Sequence, residues 1–474
     1  MNGEKTWSLS VAELASATGG QVIGNPQQTF SRVGTDTRQD LTGRLFVPLK
    51  GENFDAHDFV VQAVAKGAAA VLVHEWRNEW QELSQKVPFV RVKDSLEGLQ
   101  ELAKFWRKRQ GFFIFGITGS NGKTSTKEFT YALLKNHFKT HASKGSYNNH
   151  WGVPLTILEA GPEHTHLVVE MGMNKAGEIW RLCLIAEPDV VVVTTVGRAH
   201  IGELGSQAAI AQAKEEIYLS SPRATHVFNV DNEWTMRMQG RSQAKQITFS
   251  SFRSSVDVHL RAQRLTWEGL DIVGHIDDVK NQTWVRVFGR HNVVNLMAAA
   301  GLALAAGLKP EQIWQGLSEI QDVAWGRNQI VPLANGARVL FDGYNANPDS
   351  MQALLKNLYE MEVSGKKHLI VGDMRELGSF TDQAHEELGE RVGQIGFGSL
   401  WYVGKNGSAF MKGLKKGALP PFLKLSEDTD PQIAAEFCQN LKDGDLVAVK
   451  ASRGMALERV LEKWPLAAPL GKKP

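Results

Sequence analysis

Hydrophobic and polar positions divide the chain into three stretches with different rhythms. Up to about residue 110, short apolar runs alternate with polar ones. VAELASATGG (11–20) has helical spacing and ends in glycine, while RLFVPLKG (44–51), AAAVLVH (68–74) and FVRV (89–92) have strand character. Between them HDFVVQAVAKGA places Phe59, Val60, Ala63 and Val64 at helical intervals. From 112 the strand-like runs become nearly continuous, as in HLVVEM (166–171) and VVVVTTV (190–196). Strands without polar alternation are buried on both faces, which is the habit of parallel sheets. Between 256 and 289 the pattern loosens into VDVHLRAQRL, LDIVGHI and WVRVFG, expected as antiparallel strands on an edge or flap. Two helices follow, in NVVNLMAAAGLALAAG and LKPEQIWQGLSEI. After Trp325, strands (RVLFDGY, HLIVGDM, SLWYVG, DLVAVK) alternate with helical patterns at 350–362, 382–394 and 431–441. That alternation predicts a doubly wound α/β unit. The tail, 466–474, is expected to fray.

The most informative stretch is 112–138, FFIFGITGSNGKTSTKEFTYALLKNHF. It reads as an apolar strand, a glycine-rich turn (119–122) and a helix opening at Lys123. Such a turn presents free N–H groups and a partial positive charge to an anion. Gly119 and Gly122 let the main chain approach it closely. Lys123 can reach outer phosphates, and the hydroxyl of Thr124 or Ser125 can ligate Mg²⁺. The strict spacing G-x-x-x-x-G-K-[ST] is missed by one residue, since the upstream glycine is Gly116 and not residue 117. The flanking strand and helix nonetheless supply the context that phosphate binding requires.

In an open parallel sheet, ligands bind beyond the carboxyl ends of the strands. Glu170 ends HLVVEM, and His200 follows VVVVTTV in VGRAHIGELGS. A carboxylate beside phosphates suits Mg²⁺; histidine is a less usual ligand for that ion. Lys214, in SQAAIAQAKEEIYL, reads from physics alone as a surface lysine near Glu215 and Glu216. In the third stretch DGYNANPDSM (342–351) places Asp342, Asn345, Asn347, Pro348 and Asp349 between a strand and a helix. A capped βα turn accounts for some of these residues, but their density favours a site. Asp373, Glu376, Lys450, Ser452 and Arg453 stand at neighbouring strand ends and are expected to converge with them.

Composition narrows the classes. The 474 residues suit about three domains of roughly 150 residues each. The formal net charge of +2 gives no reason to expect nucleic acid or an anionic membrane as partner. Cys183 and Cys438 form neither a disulfide framework nor a metal motif. MNGEKTWSLSVAEL lacks an apolar leader core, and the longest apolar runs are too short to span a bilayer. The expectation is a soluble protein of the cytoplasm.

These segments together resemble the bacterial Mur ligases, ATP-dependent amide-forming enzymes of peptidoglycan synthesis. The resemblance spans nearly the whole chain: TDTRQDLTGRLFVPLKGENFDAHDF, ITGSNGKTSTKE, SYNNHWGVPLTIL, VVEMGMNKAGEI, GRHNVVNLMAAAGLALA, DGYNANPDSM, GDMRELG and VKASRG. YNANPDSM, with no DNPR in the chain, points to the branch that joins D-alanyl-D-alanine to UDP-N-acetylmuramoyl-tripeptide through an acyl phosphate. The implied fold is α/β in three domains. Residues 1–110 form a small mixed domain for the UDP-sugar. Residues 111–325 form a P-loop parallel-sheet domain for ATP with an antiparallel portion, and 326–474 a Rossmann-like domain for the incoming amine.

The resemblance also implies roles for residues. Thr118, Gly119, Ser120, Asn121, Gly122, Lys123, Thr124, Ser125, Asn292, Asn295, Arg327 and Asp342 would bind ATP. Thr124, Glu170, His200 and Lys214 would hold two Mg²⁺ ions, Lys214 as a carbamate derived from CO₂, and Lys123, Glu170, His200 and Lys214 would be catalytic. Asp36, Thr37, Arg38, Lys50, Asp55, His57, Asn148, Asn149, Tyr344, Asn345, Asn347 and Ser350 would contact substrates. A cytoplasmic monomer serving wall growth, cell shape and division is implied. The third residue of the peptide, lysine or diaminopimelate, stays open. Departures from the family pattern are Ala451 for glycine in VKASRG, WGRNQ (325–329) for the usual Gly-Arg-Met segment though Arg327 is kept, and His150 and Trp151 in SYNNHWG. The rival readings are a diaminopimelate-adding or folate polyglutamate-type ligase, and a non-enzymatic P-loop switch.

Overall fold

The apolar runs resolve into three main sheets in the computed structural model, which describes residues 7–51, 54–321 and 325–468. Local chemistry sets the first elements. Ser10 and Glu13 close a capping box that starts α1 (Val11–Thr18), and Gly19 ends it in the left-handed region. Strands β1 (Gln21–Ile23), β2 (Val33–Gly34), β3 (Leu45–Phe46), β4 (Ala70–Val73) and β5 (Phe89–Arg91) form a sheet in the order β1-β5-β4-β3-β2. Its β1–β5 pair is antiparallel and the other pairs are parallel. Helix α2 (Ser95–Gln110), capped by Asp94, leads into the second sheet. Trp106 on α2 donates its indole N–H to the Ala160 carbonyl at 2.9 Å, so the two units share a buried seam.

The second sheet has nine strands: β6 (Phe113–Thr118), β7 (Thr140–Ala142), β8 (His166–Glu170), β9 (Val190–Val193), β10 (Thr225–Asn229), β11 (Gln246–Ser250), β12 (Val258–Thr266), β13 (Gly269–Ile276) and β14 (Val279–Val285). Their order is β14-β13-β12-β11-β10-β9-β6-β8-β7. β6 lies parallel between β8 and β9, and all four valines of β9 are fully buried. The expected antiparallel strands are β12 to β14. They extend this same sheet, because β12 pairs parallel with β11 before the direction reverses. The longer helices of the unit are α3 (Lys123–Leu134), α4 (Gly152–Glu159), α5 (Glu178–Ala186), α6 (Gln207–Leu219), α7 (Asn292–Ala305) and α8 (Pro310–Glu319). The small residues Ala298, Ala299, Ala300 and Gly301 are fully buried, which lets α7 lie close on the sheet.

The third sheet runs β15-β16-β20-β17-β18-β19, from β15 (Gln329–Pro332), β16 (Arg338–Phe341), β17 (Lys367–Gly372), β18 (Ser399–Val403), β19 (Phe422–Ser426) and β20 (Leu446–Lys450). β15 is an antiparallel edge and the rest are parallel. α9 (Pro348–Glu360), α10 (Thr381–Ile395), α11 (Gly407–Leu414) and α12 (Pro431–Gln439) connect them. The apolar pattern did not announce β15, β19 or α11. The two strands are edges with half-exposed faces, where alternation is weakest. Leu466 bridges to Leu333 and Ala467 donates to the Pro332 carbonyl, so the expected fraying does not begin at 466. The rest of the tail, 469–474, and residues 1–6 lie outside the described residues. No helix among the described residues is long and apolar enough to cross a membrane.

The carboxyl ends of the second and third sheets face each other across a seam. Asn121, just beyond β6, accepts a hydrogen bond at 2.8 Å from Asn347, just beyond β16.

Candidate active site

The turn after β6 has the expected shape, and close approach explains its glycines. Gly119 has φ +151 and Gly122 φ +85. A Cβ on Gly119 would stand 1.9 Å from Thr194 Oγ1, and one on Gly122 2.1 Å from Asn295 Oδ1. Helix α3 opens at Lys123 with no side chain capping it, which leaves its N-terminal dipole directed into the seam. Lys123 donates to the Gly119 carbonyl at 2.8 Å, folding its ammonium over the turn. Burial pushes that ammonium below the usual lysine range. Glu170 and Glu376 pull it back up, and Arg327 pushes it further down.

Glu170 at the end of β8 is buried, with one carboxylate oxygen accepting from Thr124 at 2.9 Å and the other from Asn148 at 2.7 Å. The hydroxyl and carboxylate of an expected Mg²⁺ site are therefore already adjacent. Lys214 on α6 is buried, not a surface lysine. Burial holds it well below the ordinary lysine range, Lys123 pushes the same way, and no carboxylate offsets either effect. Its surroundings therefore disfavour the ammonium form.

His200 sits in the left-handed region (φ +65) with Nδ1 3.0 Å from Glu376 of the third unit. Glu376 shares that conformation (φ +64), and its main-chain carbonyl accepts from Gly202 at 3.1 Å. Strained non-glycine residues on both sides of one contact mark a place where packing overrides local preference. On the same loop the Arg198 main-chain N–H donates to Asp349 at 2.6 Å, and the Arg198 guanidinium reaches Asp349 and Glu387. The loop 197–202 is thus gripped at both ends by the third unit.

That unit forms the far wall. Lys450 is buried and donates to Asp342 and to the Asn345 carbonyl. Arg327 lies 4.3 Å over the Tyr344 ring, with its buried Nε lacking a partner among the described residues. Asn347 caps α9 through Ser350 while its amide donates to Asn121. A cavity of about 60 Å³ between 120–125, Arg327, Asn345, Asn347 and Ser350 adjoins one of about 360 Å³ bounded by His291, Asn295, Asn328 and Asp342. Cations and open N–H groups line the smaller, and neutral polar and apolar groups most of the larger. A phosphorylated head with an uncharged base fits that division. Arg453 turns away, pairing with Glu458, and Asp373 is consumed by Tyr402 and the main chain of Lys405 and Asn406.

Three family matches cover most of the chain: Mur ligase family, catalytic domain (29–107), Mur ligase middle domain (117–303), and Mur ligase, glutamate ligase domain (326–453). The UDP-N-acetylmuramoyl-tripeptide–D-alanyl-D-alanine ligase of Bacillus subtilis is 36% identical over 96% of this chain and 97% of its own length. The chain belongs to the Mur ligase family. Among solved Mur ligases, MurF from Acinetobacter baumannii superposes with a TM-score of 0.86 at 29% identity, covering 96% of this chain and 98% of that one. MurF from Thermotoga maritima in complex with ADP gives 0.79 at 28% identity, covering 91% and 96%.

Set against this Mur ligase fold, the residues expected from sequence separate into two groups. Residues 118–125, Asn148, Glu170, His200, Lys214, Asn292, Asn295, Arg327, Asp342, Tyr344, Asn345, Asn347 and Ser350 gather along the seam. The residues of the first unit do not line either cavity there. Asp36 and Arg38 pair with each other at the surface, Lys50 and His57 both pair with Asp55, and Thr37 bonds Gln62. Asn149 is engaged in capping α4 at Gly152. Sequence reading missed Arg198 and the fully buried Lys127. Arg198 carries no periodic signal, and its partners lie about 150 to 190 residues away. Lys127 follows the recognised motif by four residues and could have been flagged as a lysine on the inner face of α3.

Proposed function

We propose that this chain is the ATP-dependent ligase that joins D-alanyl-D-alanine to UDP-N-acetylmuramoyl-tripeptide. The observation that carries the reading is an uncapped phosphate-binding turn roofed by a second sheet's carboxyl edge, in a chain that matches a ligase of that name almost end to end. The first unit, 1–110, holds the UDP-sugar, 111–325 holds ATP, and 326–474 presents the dipeptide. The reading is of a monomer, and the nucleotide substrates support a place in the cytoplasm.

The peptide carboxylate attacks the γ-phosphorus of ATP, ADP leaves, and an acyl phosphate forms. The free amine of D-alanyl-D-alanine attacks the acyl carbon, loses a proton, and inorganic phosphate departs. Lys123, Arg327 and the N-terminus of α3 stand where phosphate charge develops, and such placement is most of what phosphoryl transfer needs. The unpartnered Arg327 Nε is suited to an anionic oxygen. The third unit closes the seam against water, which would otherwise hydrolyse the acyl phosphate.

The donors fit Mg²⁺. Thr124 and Glu170 would hold one ion, and His200 with Lys214 a second, the ions neutralising phosphate charge. Lys214 fits the carbamate because a neutral amine is the form that adds CO₂, releasing a proton. The resulting anion would attract the Lys123 ammonium. The deciding assay is phosphate release with each substrate omitted in turn. Release that requires ATP, the UDP-muramoyl tripeptide and the dipeptide together is expected; release independent of the dipeptide would overturn the reading. Running it with lysine- and diaminopimelate-containing tripeptides identifies the third residue.

A further inference from the structure

Lys127 is a buried charge that the reaction does not use. It lies one turn beyond Lys123 on α3, and its side chain is fully enclosed. Burying an ammonium is costly unless each of its protons is bonded. Here its ammonium donates to two carbonyls, of Ser143 at 2.6 Å and of Gly145 at 2.9 Å, and has Glu128 Oε1 2.9 Å away as an ion-pair partner. Two of these belong to one turn that follows β7, in a different part of the unit. Gly145 takes φ +53 there, and Ser143 Oγ accepts from the Glu170 N–H at 3.3 Å. Three residues on, Asn148 donates to Glu170 at 2.7 Å, and its carbonyl accepts from Gly172 at 2.7 Å. The segment is therefore fastened to the phosphate-loop helix at one end and to the Glu170 carboxylate at the other.

We propose that Lys127 is a positioning residue: its ammonium ties α3 to the segment 143–148 and thereby sets the Asn148 amide that orients Glu170. The inference rests on the ligase reading and adds to it a mechanical link between the helix that holds ATP and the strand end that carries Glu170. Thr124 and Asn148 hold opposite oxygens of that carboxylate. Releasing one of them lets the carboxylate swing about the other. Methionine at 127 matches the lysine stem in length but offers no donor, so the turn loses both carbonyl bonds while the core stays filled.

The test is a double-mutant cycle on the full chain with Lys127→Met and Asn148→Ala. Wild-type phosphate release dependent on both substrates is scored first; its absence removes the ligase reading itself. Each single variant is expected to lower kcat at least tenfold, to leave ADP affinity within twofold, and to shift the melting temperature little. In the double variant the losses should not multiply, because Lys127 acts through Asn148. Hydrogen exchange in the ligand-free protein should accelerate across 143–148 in Lys127→Met. Gly145→Ala perturbs the same link from the accepting side through its positive φ, and is expected to share the non-additivity should Lys127→Met fail to fold. Losses that multiply, or Lys127→Met with kcat within twofold of wild type and unchanged exchange, would refute the role while leaving the ligase reading intact.

Discussion

Gly202→Ala isolates the contact between the phosphate side and the third unit. The added Cβ would stand 2.5 Å from Gly378 N, 2.7 Å from Leu377 C and 2.8 Å from Glu376 O, all main-chain atoms with no flexible end to give way. Ordinary contact begins at 3.4 Å, so the turn 376–378 must retreat by about 0.9 Å from its 2.5 Å approach. That carries the Gly202 N–H, now 3.1 Å from the Glu376 carbonyl, out of hydrogen-bond range, and draws the Glu376 carboxylate away from His200 Nδ1, now 3.0 Å off. The ion pair contributes least, since Glu376 is 55% exposed and such pairs are worth about 1 kcal/mol or less. The steric term dominates, at about 1–3 kcal/mol for overpacking, with about 1 kcal/mol for the lost main-chain bond. Together they lower the docked population on the order of 30- to several-hundred-fold. Solution scattering should then give a larger radius of gyration, with kcat down at least tenfold. Gly240→Ala is the control, since its Cβ would meet nothing closer than 3.8 Å. Gly202→Ala with wild-type kcat and scattering would refute the docking argument.

Other substitutions probe the seam from different sides. Lys123→Ala should abolish ADP formation while circular dichroism and melting stay close to wild type; retained turnover would remove the phosphate-loop assignment. Lys214→Ala should lose most activity and regain part of it with short carboxylic acids, whereas full activity without added acid or CO₂ would exclude a carbamate. His291 supplies a pH dependence. Burial pushes its imidazole down to about 4, with Asp342 pulling it up and Lys450 pushing it down. Between about pH 6.5 and 4 the unfolded chain binds a proton there that the folded one refuses, so stability falls as pH drops through that window, by up to about 3 kcal/mol. Urea midpoints at pH 7 and 4.5 should differ less in His291→Gln than in wild type; equal slopes would place the effect elsewhere.

The parts of the site that lie on one element were legible in the sequence. Gly119, Gly122 and Lys123 announce themselves because strand, turn and helix are contiguous, and Glu170 because it ends an apolar run. The α/β class and the antiparallel extension followed from whether apolar residues were continuous or alternating. Pairings across the seam were not legible. Glu376 was expected near the third unit's strand ends, yet nothing local ties it to His200, and nothing in VGRAHIG tells Arg198 to meet Asp349. Lys214 misled for a related reason. Beside Glu215 and Glu216 it reads as a surface charge, and only the packing of α6 on the sheet decides that it faces inward. Local pattern fixes which faces are apolar, while the identity of the opposing face is a property of the whole chain.

The amide of Asn347 serves two masters: its oxygen starts α9, and its nitrogen bonds the phosphate loop at Asn121. A group shared between two walls can couple the ligands that sit on them, and such coupling is reciprocal by linkage. Whatever factor a nucleotide on the loop adds to the affinity for an amine on the third unit, the amine must return to the nucleotide. Each ligand's dissociation constant, measured with and without the other, would report the coupling across the seam, of which this bond and the Arg198 and Gly202 contacts are the parts.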